Sequence, residues 1–88
     1  MKYEWNEHKN RANSAKHGID FETATNLWSN GDRVEIQTTF SDENRRIMIG
    51  RIEKKLWAAI FTKRGNAIRI ISVRRARKKE TELYENKK

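Results

Sequence analysis

The sequence predicts an α+β domain in which two N-terminal helices and one C-terminal helix pack on a four-stranded antiparallel sheet. Three observations support this class. Apolar residues recur at helical spacing in the N-terminal third, alternate with polar residues in the middle of the chain, and precede a basic helical segment at the end. The 88 residues suit a single domain with a small core, covering residues 1–88.

Two helices are predicted before residue 30 from their capping residues. Asn6 is suited to begin a helix that ends at His17, because Gly18 can adopt the left-handed conformation that closes a helix. The semi-apolar face of this helix is expected to hold His8, Ala12 and Ala15. Asp20 is suited to begin a second helix. Its apolar face is expected to hold Phe21, Ala24, Thr25 and Trp28.

Four strands and a last helix are predicted after the turn at residues 30–32. Apolar and polar residues alternate from Val34 to Phe40, which indicates a strand with one solvated face. The predicted strands cover residues 34–40, 45–52, 56–61 and 67–72, with turns at 41–44, 53–55 and 63–66. Residues 56–61 are apolar on both faces, which indicates a central strand. A final helix is predicted from about Arg74 to Glu85, with Val73, Ala76, Leu83 and Tyr84 facing the core.

The positive charge is concentrated at the C-terminal end. Residues 63–88 contain ten Lys or Arg and three Glu, which is a net +7 of the +8 carried by the whole chain. A focused cationic field attracts a polyanion, and nucleic acid is the expected one for a small domain. No apolar stretch resembles a signal peptide or a membrane span, so a cytoplasmic protein without a membrane partner is expected.

Several cations are candidates for binding a phosphate. The densest cluster is Arg74, Arg75, Arg77, Lys78 and Lys79. Arg74 and Arg75 are expected at the start of the last helix, where cations oppose the helix dipole and therefore indicate a function. Arg69 interrupts an apolar strand, and Arg64 precedes it. The alternative for every one of these residues is an ordinary solvated position.

The histidines do not indicate a metal site. His8 and His17 are nine residues apart without a suitable third ligand, and the chain has no cysteine. No metal and no cofactor are therefore expected. His17 lies in the last turn of the first predicted helix, where a histidine interacts favourably with the negative end of the helix dipole. The alternative is that His17, together with Lys16, contacts a phosphate.

The chain resembles the BrnT family of type II toxin–antitoxin toxins from Trp5 to Tyr84. The matching residues are 5–7, Lys9, Asn13, 16–19, Phe21, Arg46, 49–50, Thr62, Arg64, 69–76, Glu80 and Tyr84. Asn6 stands where aspartate is common, and Val73 where alanine is usual. The resemblance implies a RelE-like fold and a toxin that cleaves RNA and arrests growth. It also implies a small ribbon-helix-helix antitoxin that neutralises the toxin and links the complex to operator DNA.

These observations together predict a metal-independent endoribonuclease. The 2′-hydroxyl of RNA can attack the adjacent phosphate, so the protein must orient that phosphate, stabilise its added charge and move protons. The predicted catalytic residues are Arg64, Arg69, Arg74, Arg75 and His17. The predicted RNA-binding residues are Lys16, Arg77, Lys78, Lys79 and Tyr84, and Tyr84 is an alternative to His17 for proton transfer. The alternative function is a non-enzymatic nucleic-acid-binding module that acts as a co-repressor with a DNA-binding partner.

Overall fold

The computed structural model describes residues 2–38 and 44–87, which form a five-stranded mixed sheet with helices on both faces. In chain order the elements are β1 (Lys2–Glu4), α1 (Glu7–His17), α2 (Phe21–Ala24), a 3₁₀ helix (Thr25–Ser29), β2 (Val34–Gln37), β3 (Arg45–Ile52), β4 (Lys55–Arg64), β5 (Ala67–Arg75) and α3 (Lys78–Lys87). The sheet order is β1-β5-β4-β3-β2. The α+β class is therefore confirmed, with one strand more than predicted.

The additional strand is β1, which pairs parallel to β5 through Tyr3 and Ile68. Sequence patterning missed it because three residues are too few to show an alternation. Strands β2 to β5 form the predicted antiparallel meander, and β4 is central as expected. The part of the first predicted strand at Thr39 and Phe40, and the turn residues 41–43, lie outside the described residues.

Local capping sets the start of each N-terminal helix as predicted, but the second is an α-helix only over Phe21–Ala24 and continues as the 3₁₀ helix Thr25–Ser29. The Asn6 side chain accepts a hydrogen bond from the Lys9 backbone at 3.1 Å, and Gly18 closes α1 with a φ of 74°. Asp20 accepts a hydrogen bond from the Thr23 backbone N–H at 2.8 Å. The Thr23 side chain, and after it this backbone bond, lower the pKa of Asp20. The expected semi-apolar face of α1 is wrong, because His8, Ala12 and Ala15 are exposed.

The buried residue of α1 is Asn13, which replaces a missing strand at the edge of β5. Its Nδ2 donates to the Val73 carbonyl at 2.9 Å, and its Oδ1 accepts from the Val73 N–H at 3.1 Å. Nδ2 also donates to the Ile19 carbonyl at 3.0 Å. Because β1 ends opposite Arg69, these bonds satisfy backbone groups that no strand reaches.

The two faces of the sheet carry separate apolar clusters. The back face is the one to which Trp57, Ala59 and Phe61 of β4 point, and it packs against Phe21, Ala24 and Leu27. The front face is the one to which Ala58 and Ile60 point, and α3 packs there over β2 and β3 through Tyr84. The remaining members of the front cluster are Val34, Ile36, Ile47, Ile49, Leu56 and Ala76.

The last strand is longer than predicted, and the last helix starts later. Arg74 and Arg75 continue β5 because they pair with Ala58 and Trp57 of the central strand. The helix begins at Lys78, and the Thr81 N–H donates to the Arg77 carbonyl at 2.8 Å as its first bond. The prediction that Arg74 and Arg75 lie at a helix N-terminus is therefore wrong, and the helix dipole does not act on them as expected. Leu83 is exposed on α3, not in the core.

Candidate nucleic-acid interface

A β-bulge brings Arg69 and Arg74 to the same face of the sheet. Arg69 pairs with Thr62 and Arg74 with Ala58, while the register shifts between Ile60 and Phe61. Directly opposed residues in an antiparallel pair share a face, and residues four apart on β4 share one too. Both arginines therefore point to the front face, although five positions separate them along the chain. Without the extra residue in β5 they would lie on opposite faces.

The bulge also separates Arg74 from Arg75. Arg75 opposes Trp57 and lies on the back face, with its guanidinium carbon 5.6 Å from the centre of the Trp57 ring. This distance is that of a cation–π contact. The two neighbouring arginines predicted to act together on one phosphate therefore point to opposite sides of the sheet.

Arg74 is held by Glu80 through two parallel hydrogen bonds. Its Nη1 and Nη2 donate to the two Glu80 carboxylate oxygens at 2.8 and 2.9 Å. Glu80 Oε1 also accepts from the Arg77 backbone N–H at 2.8 Å. Burial raises the pKa of Glu80, but the bonds from Arg74 and from Arg77 outweigh it, so its pKa lies below the ordinary value. The carboxylate thus stays ionised beside Arg74.

Two further arginines share a carboxylate at the other end of the front face. Arg69 Nη1 donates to Glu4 Oε2 at 3.1 Å, and Arg64 Nη1 lies 3.5 Å from the same oxygen. Strand β1 delivers Glu4 to this position by pairing it with Arg69. Because two arginines share one carboxylate, the three side chains together carry a net positive charge.

A cleft of about 330 Å³ lies on the front face between α3 and strands β2 and β3. It has an apolar wall and a charged wall. The lining residues are Ile36, Gln37, Thr38, Ile47, Arg74, Arg77, Lys79, Glu80 and Leu83. Arg77 and Lys79 are exposed, and neither forms a salt bridge with another residue in the ranges that the structure describes. The cleft therefore combines apolar surface with available positive charge, as a nucleotide or an acidic apolar peptide requires.

Lys16 and His17 lie in a different place. They line a shallow depression of about 240 Å³ beside the edge of β5, next to Ile71 and Ser72 at the bulge. His17 is half-buried and Lys16 is exposed. The structure therefore does not bring these two residues into the cleft that Arg74 lines.

The remaining predicted residues differ in accessibility. Lys78 is exposed at the start of α3. The Tyr84 side chain is 1% exposed in the front apolar cluster, with the Arg51 guanidinium 5.8 Å from its ring centre. A buried ring does not present a stacking surface to RNA, so the described conformation places Tyr84 in the core.

Sequence reasoning assigned no role to the acidic partners of the arginines. Glu80 is the third residue of α3, the position at which a glutamate accepts from the backbone before the helix. That signal was hidden because the helix was expected to start at Arg74. Glu4 could not be found by local patterning, because its role depends on the parallel pairing of β1.

A larger depression of about 440 Å³ lies on the back face at the turn between β3 and β4. Its lining residues are Gly18, Ile19, Thr23, Ile52, Glu53, Lys54, Lys55 and Trp57. It contains none of the predicted site residues. Across the part of the chain that the structure describes, no group of three or more His, Cys, Asp or Glu is arranged to hold a metal ion. Within the same part, no helix has the length and apolar character needed to cross a membrane.

Comparison with known proteins identifies the family. A comparison with curated proteins finds no match. The family model for the ribonuclease toxin BrnT of type II toxin–antitoxin systems matches residues 5–80, which include both N-terminal helices, strands β2 to β5 and the Arg74–Glu80 pair. The resemblance noted from the sequence is therefore confirmed, and the chain belongs to the BrnT family of ribonuclease toxins of type II toxin–antitoxin systems.

Proposed function

We propose that this toxin is an endoribonuclease that cleaves RNA through the attack of the RNA 2′-hydroxyl on the adjacent phosphate, without a metal ion, and thereby arrests growth. Family membership makes RNA the substrate and an antitoxin the partner. The observation that carries the proposal is that Arg69 and Arg74 lie on one sheet face, each oriented by a carboxylate. Guanidinium groups bind phosphate oxygens through paired N–H donors and stabilise charge that develops in the transition state.

Arg64, Arg69 and Arg74 are assigned to the scissile phosphate, and Arg77, Lys78 and Lys79 to the neighbouring phosphates. About 13 Å separates the Arg69 and Arg74 backbones, because their partners on β4 are four residues apart at about 3.3 Å per residue. Long side chains from both positions can therefore reach one segment of single-stranded RNA.

Proton transfer is assigned to His17, which lies outside the Arg74 cleft, so in this proposal the RNA strand passes from the front face around the edge of β5, where Lys16 also binds it. His17 borders an open depression, whereas the alternative, Tyr84, is buried. A histidine is suited to this role because its ordinary pKa lies near neutral pH. The absence of cysteine from the chain and the separation of its two histidines argue against a zinc site built from these residues.

We further propose that the antitoxin is a ribbon-helix-helix protein whose additional segment covers the front-face cleft. Leu83 is 45% exposed and lines the cleft together with Arg77 and Lys79. A segment with large apolar and acidic side chains matches both walls. Bound there, it would exclude RNA, and the ribbon-helix-helix part would connect the complex to operator DNA.

The test is incubation of the purified toxin with RNA in excess EDTA, followed by analysis of the RNA ends. The attack displaces the 5′-oxygen of the next nucleotide, so cleavage should leave a 2′,3′-cyclic phosphate, or the product of its hydrolysis, on one fragment and a 5′-hydroxyl on the other. Arg69→Ala and Arg74→Ala should each lower the rate by about a hundredfold. Arg11→Ala is the matched control, because Arg11 is exposed on α1. Activity lost in EDTA with 5′-phosphate products would refute the mechanism, and RNA binding without cleavage would favour the co-repressor.

A further inference from the structure

We propose that Glu80 is a positioning residue of the ribonuclease: it fixes the Arg74 guanidinium so that one remaining pair of N–H groups faces the RNA phosphate. This inference rests on the proposed function of Arg74. Glu80 itself does not touch the RNA in this arrangement. It acts through Arg74, and it lowers the net charge of the site while doing so.

Glu80 uses only some of the N–H donors of Arg74, so the remaining donors are available to bind a phosphate. A guanidinium has five N–H groups in a fixed plane. Two donate to Glu80, one each from Nη1 and Nη2, and Nη1 also donates to the Arg75 carbonyl at 3.3 Å. The Nε–H and the second N–H of Nη2 remain without a partner among the described residues. These two point in the same direction, so they form a second fork that matches two oxygens of a phosphate.

Glu80 is itself held more firmly than the carboxylate at the other arginines. The Glu80 side chain is 8% exposed, and its Oε1 also accepts from the backbone N–H of Arg77 in front of α3. Glu4, which orients Arg69, is 39% exposed and lies on a three-residue strand. The direction of the Arg74 fork is therefore tied to the first turn of α3, whereas Arg69 keeps more freedom.

The Arg74–Glu80 contact orients Arg74 for cleavage, but it weakens the electrostatic attraction of the cleft for RNA. Glu80 neutralises Arg74, so Arg77 and Lys79 supply the unpaired charge of the cleft. Removing the Glu80 charge should strengthen RNA binding and slow cleavage, because Arg74 gains net charge but loses its orientation. Simple loss of folded structure would instead weaken both properties together. This difference in sign separates a positioning role from a structural one.

The experiment compares Glu80→Gln with Glu82→Gln in the full chain, using RNA binding and single-turnover cleavage. Glu82 is exposed on the same helix, so its replacement makes the same charge change without touching Arg74. For Glu80→Gln we expect RNA affinity above that of the native toxin. We also expect a cleavage rate lower by about 10- to 100-fold, the scale of an error of about 1 Å in placing a reacting group. Glu82→Gln should keep the native cleavage rate.

Glu80→Asp is the second variant, because it keeps the charge and shortens the side chain by one carbon. It should also cleave slowly while it binds RNA with native affinity. Cleavage by Glu80→Gln within twofold of Glu82→Gln would overturn the inference. So would a rate loss that equals the unfolded fraction measured by circular dichroism at the assay temperature. Full cleavage by Arg74→Ala would overturn the proposed site itself, whereas an inactive Arg74→Ala with fully active Glu80 variants would overturn the positioning role alone.

Discussion

Replacing Asn13 by alanine is expected to lower the free energy of unfolding by about 3 kcal/mol, although Asn13 lies on a predominantly polar helix. Its amide makes three hydrogen bonds to the backbone, two with Val73 and one with Ile19, at 2.9 to 3.1 Å. Each is worth about 1 kcal/mol, and a buried N–H left without a partner costs about 1–3 kcal/mol. The loss is large beside a total of about 4–13 kcal/mol for a domain of this size.

Urea unfolding followed by circular dichroism measures this loss, and thermal melting should show a fall of about 12–24 °C for a domain of this length. Asn26→Ala is the matched control, because Asn26 is exposed in the 3₁₀ helix. It should change stability by about 0.5 kcal/mol or less. A loss below about 1 kcal/mol for Asn13→Ala, no larger than the control, would refute the view that Asn13 substitutes for a strand at the edge of β5.

Three further predictions follow from the front face. Arg74→Ala should reduce RNA cleavage at least tenfold more than Arg75→Ala, because the bulge directs Arg75 to the back face; equal losses in a cleavage assay would contradict the assigned faces. The pKa of Glu80 is lowered in the folded state, so its stabilisation is complete above its ordinary value of 4.5 and disappears as the pH falls through the lower folded value. Urea unfolding between about pH 7 and pH 3 should therefore show a smaller acid-induced loss for Glu80→Gln than for the native chain. Leu83→Asp should weaken antitoxin binding at least tenfold in a titration while leaving the melting temperature nearly unchanged; native affinity would exclude the cleft as the docking surface.

Local sequence determined the elements whose stabilising contacts are close along the chain. The first helix begins and ends where Asn6 and Gly18 predict, because both caps bond to backbone groups within the same helix. The second begins at Asp20 for the same reason. The family and the basic C-terminal end were also readable from the residues alone.

The site needed the tertiary structure because its geometry depends on pairing between distant segments. Pairing with β4 extends β5 to Arg75 and places the bulge, which decides that Arg69 and Arg74 share a face and that Arg75 does not. Periodicity cannot reveal this, since one extra residue reverses every side chain beyond it. The parallel pairing of β1 likewise brings Glu4 to Arg69 across 65 positions. Sequence thus supplied the cations, and long-range strand pairing decided which of them can act on the same phosphate.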